Sequence, residues 1–155
     1  MNYVICDLDS TLASNKWREE LLRATNGKNF DRFHKAIPFD ARIDSTYQTL
    51  LELEQQGLGI IYMSARPEWS RQLTVSWLRK YDCPSGNLVL RANKDSRNAV
   101  TVKKELYLKF LQGRNIVHCF DDKPAILEMW KEFGFETTLV VDPCLTPNIF
   151  KNSCF

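Results

Sequence analysis

The stretch Val4-Ile5-Cys6-Asp7-Leu8-Asp9-Ser10-Thr11-Leu12 decides the reading of this chain, because a short apolar run ends there in two carboxylates two positions apart. A buried strand at Tyr3 to Leu8 brings both acids to the carboxyl edge of a sheet, where open α/β sheets place their ligand crevices. One carboxylate can then act as a nucleophile and the other as an acid. Asp-x-Asp also occurs in calcium loops and ordinary turns, so the rest of the chain has to carry the argument.

Outward from that stretch, short apolar runs alternate with longer segments of helical period, the pattern of a parallel sheet with helices on both faces. Further strands are expected at Leu58 to Met63, Asn87 to Leu90, Ile116 to Phe120 and Thr137 to Val141. Helices are expected over 45–56, stopping at Gly57; over 67–80, opening on Pro67 and repeating Trp69, Leu73 and Trp77; and over 123–133, opening on Pro124 and stopping at Gly134. Their aromatic residues read as core. The fold class is α/β, a doubly wound, Rossmann-like parallel sheet of about five strands. The break in the alternation lies at about 14–43, directly after the acidic motif, and suits a small helical cap of two short helices rather than a long loop. At 155 residues the chain fits one domain, 1–155.

Composition excludes several classes. Hydrophobic residues make up 44% and charged residues 26%, and no apolar stretch approaches the length of a membrane span. Residues Met1 and Asn2 lead straight into the first strand without a basic leader, so a cytoplasmic protein is expected. The five cysteines (Cys6, Cys83, Cys119, Cys144, Cys154) lack Cys-x-x-Cys spacing and read as reduced thiols, not as a zinc site or a disulfide framework. A formal charge of +2 does not by itself imply nucleic-acid binding. Residues 14–37, however, hold six basic against three acidic residues, with Trp17, Phe30 and Phe33 among them, and residues 91–104 hold five basic against one acidic. Two basic segments bracketing an acidic site suit an anionic substrate.

Four features fall at successive strand ends or the helices after them: Asp7 with Asp9, Ser64 with Arg66, Lys103 or Lys104 opening a later helix, and Asp121-Asp122. Singly, each is an ordinary cap, turn or solvated side chain. Together and in this order they resemble the haloacid dehalogenase superfamily of phosphohydrolases, whose signature is Asp-x-Asp-x-Thr, then Ser or Thr, then Lys, then an acidic pair. Arg18, Ser64-Ala65-Arg66-Pro67, Trp77-Leu78, Leu90-Arg91, Asp95, Arg97, Val102-Lys103-Lys104-Glu105, Phe120-Asp121-Asp122-Lys123 and Met129-Trp130 add a similarity to the 3'-phosphatase domain of phage-type polynucleotide kinase-phosphatases. Ser10, Ala65 and Lys123 depart from the usual glycine, glycine and arginine. Ser10 is strained if its backbone needs a positive φ. No phosphate loop of the Gly-x-x-x-x-Gly-Lys-Ser/Thr type is present in these residues, so a kinase half is not among them.

The resemblance implies a Mg2+-dependent phosphomonoesterase with an aspartyl-phosphate intermediate. Asp7 is the expected nucleophile and Asp9 the acid and base. Ser64 and Lys103 bind and neutralise the phosphoryl group; Lys103 is preferred to Lys104 because Val102-Lys103-x-Glu105 fits the family pattern. Thr11 orients Asp9 or the adjoining backbone, Arg18 and Arg66 clamp the substrate, and Arg91, Asp95 and Arg97 order a nearby loop. Asp7, the backbone carbonyl of Asp9, and Asp121 or Asp122 hold the metal. The implied substrate is a phosphorylated nucleic-acid end or nucleotide, with no membrane partner, and the compartment is the host cytoplasm for a phage-encoded enzyme. The competing readings are a 5'-nucleotidase acting on free nucleoside monophosphates and a non-catalytic phosphate- or nucleic-acid-binding module on the same fold. A signalling receiver fits less well, since there the acidic pair comes early in the chain, whereas here it comes late.

Overall fold

A computed structural model describes residues 1–26 and 30–143. Five parallel strands form one sheet: β1 (Asn2–Cys6), β4 (Gly59–Pro67), β5 (Gly86–Arg91), β6 (Asn115–Asp121) and β7 (Glu136–Leu139), in the order β5-β4-β1-β6-β7. The first strand is therefore central. Val4 and Cys6 face one side with Ile60, Tyr62, Leu50 and Trp77, while Ile5 faces the other with Met63, Cys119, Ile126 and Trp130. A strand buried on both faces has to be a continuous apolar run, which Val4-Ile5-Cys6 supplies.

Helix α3 (Asp44–Gln55) connects β1 to β4, α4 (Arg71–Lys80) connects β4 to β5, α5 (Ala99–Leu106) precedes β6, and α6 (Pro124–Glu132) connects β6 to β7. The expected stops hold: Gly57 and Gly134 follow α3 and α6 with φ of 87° and 84°, a conformation glycine adopts without the steric cost of a Cβ. Gln112 follows one wide π-type turn at Tyr107–Leu111 that extends α5.

Two expectations fail in the same place. Pro67 does not open a helix; it ends β4 in an extended conformation, and the residues after it form a 3-10 turn, Glu68–Ser70, before α4 begins. Trp69 consequently lies outside the helical face shared by Leu73 and Trp77. It is 40% exposed, whereas Trp77 is buried. Cys6 and Cys119 are buried free thiols and Cys83 is half-buried and free; Cys144 and Cys154 lie outside the described residues.

The described residues between β1 and α3 form short elements of their own. Strands β2 (Ala13–Ser14) and β3 (Ala41–Arg42) pair antiparallel and close its base. Between them lie a 3-10 turn at Lys16–Arg18, α1 (Glu19–Arg23), α2 (Phe30–Lys35) and a second 3-10 turn at Ile37–Phe39. Ile37 and Leu12 are fully buried and tie this insertion to the core beneath it. No helix among the described residues is long and apolar enough to cross a membrane.

Candidate active site

Parallel pairing brings three strand ends side by side. Cys6 is level with Tyr62 of β4 and Phe120 of β6, and the Asp7 N–H donates to the Phe120 carbonyl at 3.0 Å. Asp7, just past β1, and Asp121, the last residue of β6, therefore face one another. Lys103 lies between them, donating to Asp7 Oδ1 at 2.8 Å and to Asp121 Oδ2 at 2.6 Å. It does not open its helix. It sits in the second half of α5, 3% exposed, while Lys104 points to solvent.

Carboxylate oxygens of Asp7, Asp121 and Asp122 lie within 4.8 Å of one another. Three carboxylates against one ammonium leave an excess of negative charge in a mostly buried place. Burial first, and then the Asp121 charge, push Asp7 up to about 8, and burial with Asp121 raises Asp122 to about 6. Lys103 moves the opposite way to a lone buried amine: burial would lower it, but Asp121 and Asp7 raise it. An all-oxygen, over-charged cluster fits a hard divalent cation such as magnesium. Asp121 Oδ1 also accepts the Lys123 N–H at 3.0 Å, which fixes that carboxylate at the head of α6.

Asp9 does not join this cluster. Arg18 Nη2 donates to its Oδ1 at 2.9 Å, and Arg66 reaches it through Nη2 at 2.7 Å and Nε at 3.2 Å. Three acidic side chains, Asp7, Asp121 and Asp122, therefore make up the cluster, and Asp9 has its backbone carbonyl, the ligand atom expected of it, left to offer a metal. Burial would raise the Asp9 carboxyl, but Arg66 and Arg18 outweigh it and hold it well below the usual carboxylate range. Both guanidiniums are fully buried.

Asp40, absent from the sequence reading, organises this second cluster. It is fully buried in the insertion, receives Arg18 Nε at 2.8 Å and Nη2 at 2.7 Å, and lies 3.6 Å from Arg66 Nη2. The Trp77 indole and Tyr81 hydroxyl donate to its carbonyl. The only local signal is a carboxylate inside the otherwise apolar stretch Ile37 to Ala41, a position that demands a buried partner.

The remaining expected residues fall as follows. Thr11 donates to Asp7 Oδ2 at 3.0 Å, not to Asp9, and is fully buried, so it orients the first aspartate and is closed off from solvent. Ser64, also buried, accepts the Arg66 N–H at 3.2 Å. Ser10 has the positive φ, 62°, that glycine would take without strain, and its hydroxyl donates to Asn15 Oδ1 at 2.7 Å. Arg91 donates to the Asp95 and Arg97 carbonyls, and Arg97 pairs with Asp95 and Glu105, ordering that loop as anticipated. The basic segments are less free than their composition implies: Lys16, Arg18, Arg23, Arg97 and Lys103 all have carboxylate partners.

Comparison with known proteins accords with this geometry. A putative bifunctional polynucleotide kinase/RNA ligase of Autographa californica nuclear polyhedrosis virus is 28% identical over 140 residues, 89% of this chain and 19% of the relative. A putative nucleotidase of Bacillus cereus is 36% identical over 81 residues, 52% of this chain and 39% of that protein. The chain spans well under half the length of these curated relatives. The structure of a Pnkp1/Rnl/Hen1 RNA repair complex holds a chain with a TM-score of 0.75 and 28% identity, covering 90% of this chain and 42% of that one. The class C acid phosphatase of Bacillus anthracis, 18% identical with a TM-score of 0.65, covering 92% of this chain and 66% of that one, shares the fold. The family described as the polynucleotide kinase PNKP phosphatase domain matches residues 1–143. With its acidic strand ends and buried lysine arranged on a haloacid dehalogenase-type sheet, this chain belongs to that family of phosphatase domains.

Proposed function

We propose that the chain is a magnesium-dependent phosphomonoesterase that removes a 3'-phosphate from a nucleic-acid end through an aspartyl-phosphate on Asp7. The observation that carries this reading is the meeting of Asp7, Asp121, Asp122 and Lys103 at adjacent strand ends, with Asp9 beside them. The Asp7 carboxylate attacks phosphorus in line, and the bond from phosphorus to the strand-end oxygen breaks. Asp9 gives its proton to the departing alkoxide, then takes one from the water that attacks the aspartyl-phosphate, releasing phosphate and restoring Asp7.

Held by Asp7, Asp121, Asp122 and the Asp9 carbonyl, magnesium would supply charge neutralisation at the phosphoryl oxygens. Lys103 supplies positive charge from the protein side, and Ser64 keeps its hydroxyl proton to donate to a phosphoryl oxygen. Asp9 must be protonated to act first as an acid, yet Arg18 and Arg66 favour its ionised form. Substrate oxygens compete for those guanidinium forks, which frees Asp9 to take up a proton. The insertion at about 14–43 caps the site and carries Arg18 into it, and 1–155 is read as one phosphatase domain with that cap.

The nucleic-acid end as substrate is supported by the family match and by the relative solved in an RNA repair complex. The nucleotidase of Bacillus cereus supports a second reading, hydrolysis of free nucleoside monophosphates. A substrate panel with magnesium separates the two. Preferential release of phosphate from 3'-phosphorylated oligonucleotides supports the first reading, and preference for free 5'-monophosphates replaces it with the second. Absence of turnover across the panel leaves a binding module.

A further inference from the structure

An aromatic patch begins at Arg18 and runs outward from the site. The Phe33 ring lies 4.4 Å from the Arg18 guanidinium carbon, and the Phe33 carbonyl accepts Arg18 Nη1 at 2.9 Å. His34 meets Phe33 edge to face at 5.2 Å, stacks with Phe30 at 6.3 Å and meets Trp69 edge to face at 6.0 Å. Three of these rings come from α2 of the insertion. The fourth comes from the turn after β4, three positions beyond Arg66.

The outer rings are open to solvent, Phe30 by 54% and Trp69 by 40%. Scattered exposed aromatics need no explanation. Four contiguous rings leading from a buried guanidinium of an anion-handling site do. The turn that carries Trp69 is held in place: the Trp69 backbone N–H donates to Asn93 Oδ1 at 2.9 Å, Ser70 bonds back to the Pro67 carbonyl, and Arg71 ties Glu68 to the Leu88 carbonyl. A ring carried on a fixed turn loses less freedom when a ligand settles on it than one carried on a mobile loop. His34 Nδ1 is buried with no hydrogen-bond partner among the described residues, and burial keeps that ring neutral by lowering it to about 4. A ligand complementary to this surface has an anionic group for the guanidiniums and a flat π-face next to it.

We propose that Phe30, His34 and Trp69 form a stacking ledge for the base of the nucleotide whose phosphate is removed. The inference rests on the phosphatase reading above and adds to it a specificity element. Stacking accepts any base, so the ledge distinguishes nucleotides from other phosphomonoesters without selecting sequence. A strand end and a free nucleotide present the same chemistry to it.

The test compares 3'-phosphorylated oligonucleotides that differ only in whether the terminal residue carries a base or is a tetrahydrofuran abasic analogue. A parallel arm compares a nucleoside 3'-monophosphate with its base-free sugar phosphate. Wild-type kcat/KM is expected to favour the base-bearing member, and Trp69→Ala or Phe30→Ala to cut that preference about tenfold. Were the rings only a latch between insertion and core, both members would fall together. An unchanged ratio or a parallel fall overturns the ledge.

Fluorescence anisotropy with Asp7→Asn protein reads the same base preference without turnover. Base-dependent affinity lost on adding Trp69→Ala, in a protein whose wild type hydrolyses no nucleic-acid or nucleotide phosphate, sinks the phosphatase reading and leaves the ledge. Hydrolysis and binding indifferent to the base do the reverse. A preference in the oligonucleotide arm alone assigns the ledge to strand ends, and one in the nucleotide arm alone assigns it to free nucleotides.

Discussion

Lys103 Nζ lies 2.8 Å from Asp7 Oδ1 although 96 positions separate the two residues, and neither side chain is more than 7% exposed. Removing one partner of a buried ion pair leaves an uncompensated charge, which costs about 3–5 kcal/mol. Lys103→Met is therefore expected to lower the urea unfolding free energy of metal-free protein by about 3 kcal/mol or more. Asp7→Asn removes negative charge from an over-charged cluster and should leave stability equal or higher, while kcat falls by roughly 10³-fold or more. Residual turnover close to wild type in Asp7→Asn would rule out Asp7 as nucleophile.

The same charge excess makes stability depend on pH and on metal. Asp7 is raised from its ordinary value near 3.8 to about 8, so between those values the folded protein binds more protons than the unfolded chain. Stability then decreases as pH rises through that window. Asp9 has the opposite sign, its contribution being lost only as pH falls in the acid range, so it is fully present above about pH 5. In chelator, Tm should fall by about 5 °C or more between pH 5 and pH 8. Magnesium should restore it most at the alkaline end. A Tm indifferent to magnesium at pH 8 would contradict the metal assignment.

Much of this architecture was legible because it is local. The apolar run before Asp7, the glycine stops at 57 and 134, and the acidic pair after β6 each carry their own signal. What was not legible depends on distant partners or on small rotations. Asp40 meets Arg18 across 22 positions with no motif to mark it. Trp69 shares helical spacing with Leu73 and Trp77, but β4 continues through Pro67 and delays the helix, so the indole swings out of the core. Lys103 and Lys104 are adjacent on a helix whose period does not separate them; the family pattern favours Lys103, and the packing of α5 on the sheet buries that residue. Thr11 is expected to orient Asp9 or the adjoining backbone, but its hydroxyl turns back to the Asp7 carboxylate, four positions earlier.

Asp40 holds Arg18 and contacts substrate in no step proposed here, which makes it a positioning residue. Asp40→Asn preserves shape but removes the charge that anchors the guanidinium. The expected result is a fall of about tenfold in kcat/KM, of the size that misplacement of a catalytic group produces. Asp9 should be held less rigidly, so the acid limb of the pH profile should shift as well. A purely structural role would lower Tm and leave that limb where it is in the folded fraction.

Binding of a phosphate mimic should take up a proton. Arg18 and Arg66 stabilise ionised Asp9, and an oxyanion that draws these forks away leaves the carboxyl free to protonate. Calorimetric titration with tungstate at pH 6, in buffers of different ionisation enthalpy, is expected to show net proton uptake that disappears in Asp9→Asn. Equal heats in all buffers would mean that Asp9 stays ionised when the anion binds.

Ser10 provides a test of strain. A non-glycine residue in the left-handed region costs roughly 1–2 kcal/mol, and the Ser10 hydroxyl recovers part of this through its bond to Asn15, worth about 1 kcal/mol. Ser10→Gly relieves the first and loses the second, so stability should change by between zero and about +1 kcal/mol. Ser10→Ala keeps the strain and loses the bond, and should be destabilised by about 1 kcal/mol. Chemical denaturation of the two variants separates these contributions: equal loss in both would show that the hydroxyl bond, not the backbone conformation, decides which residue this turn accepts.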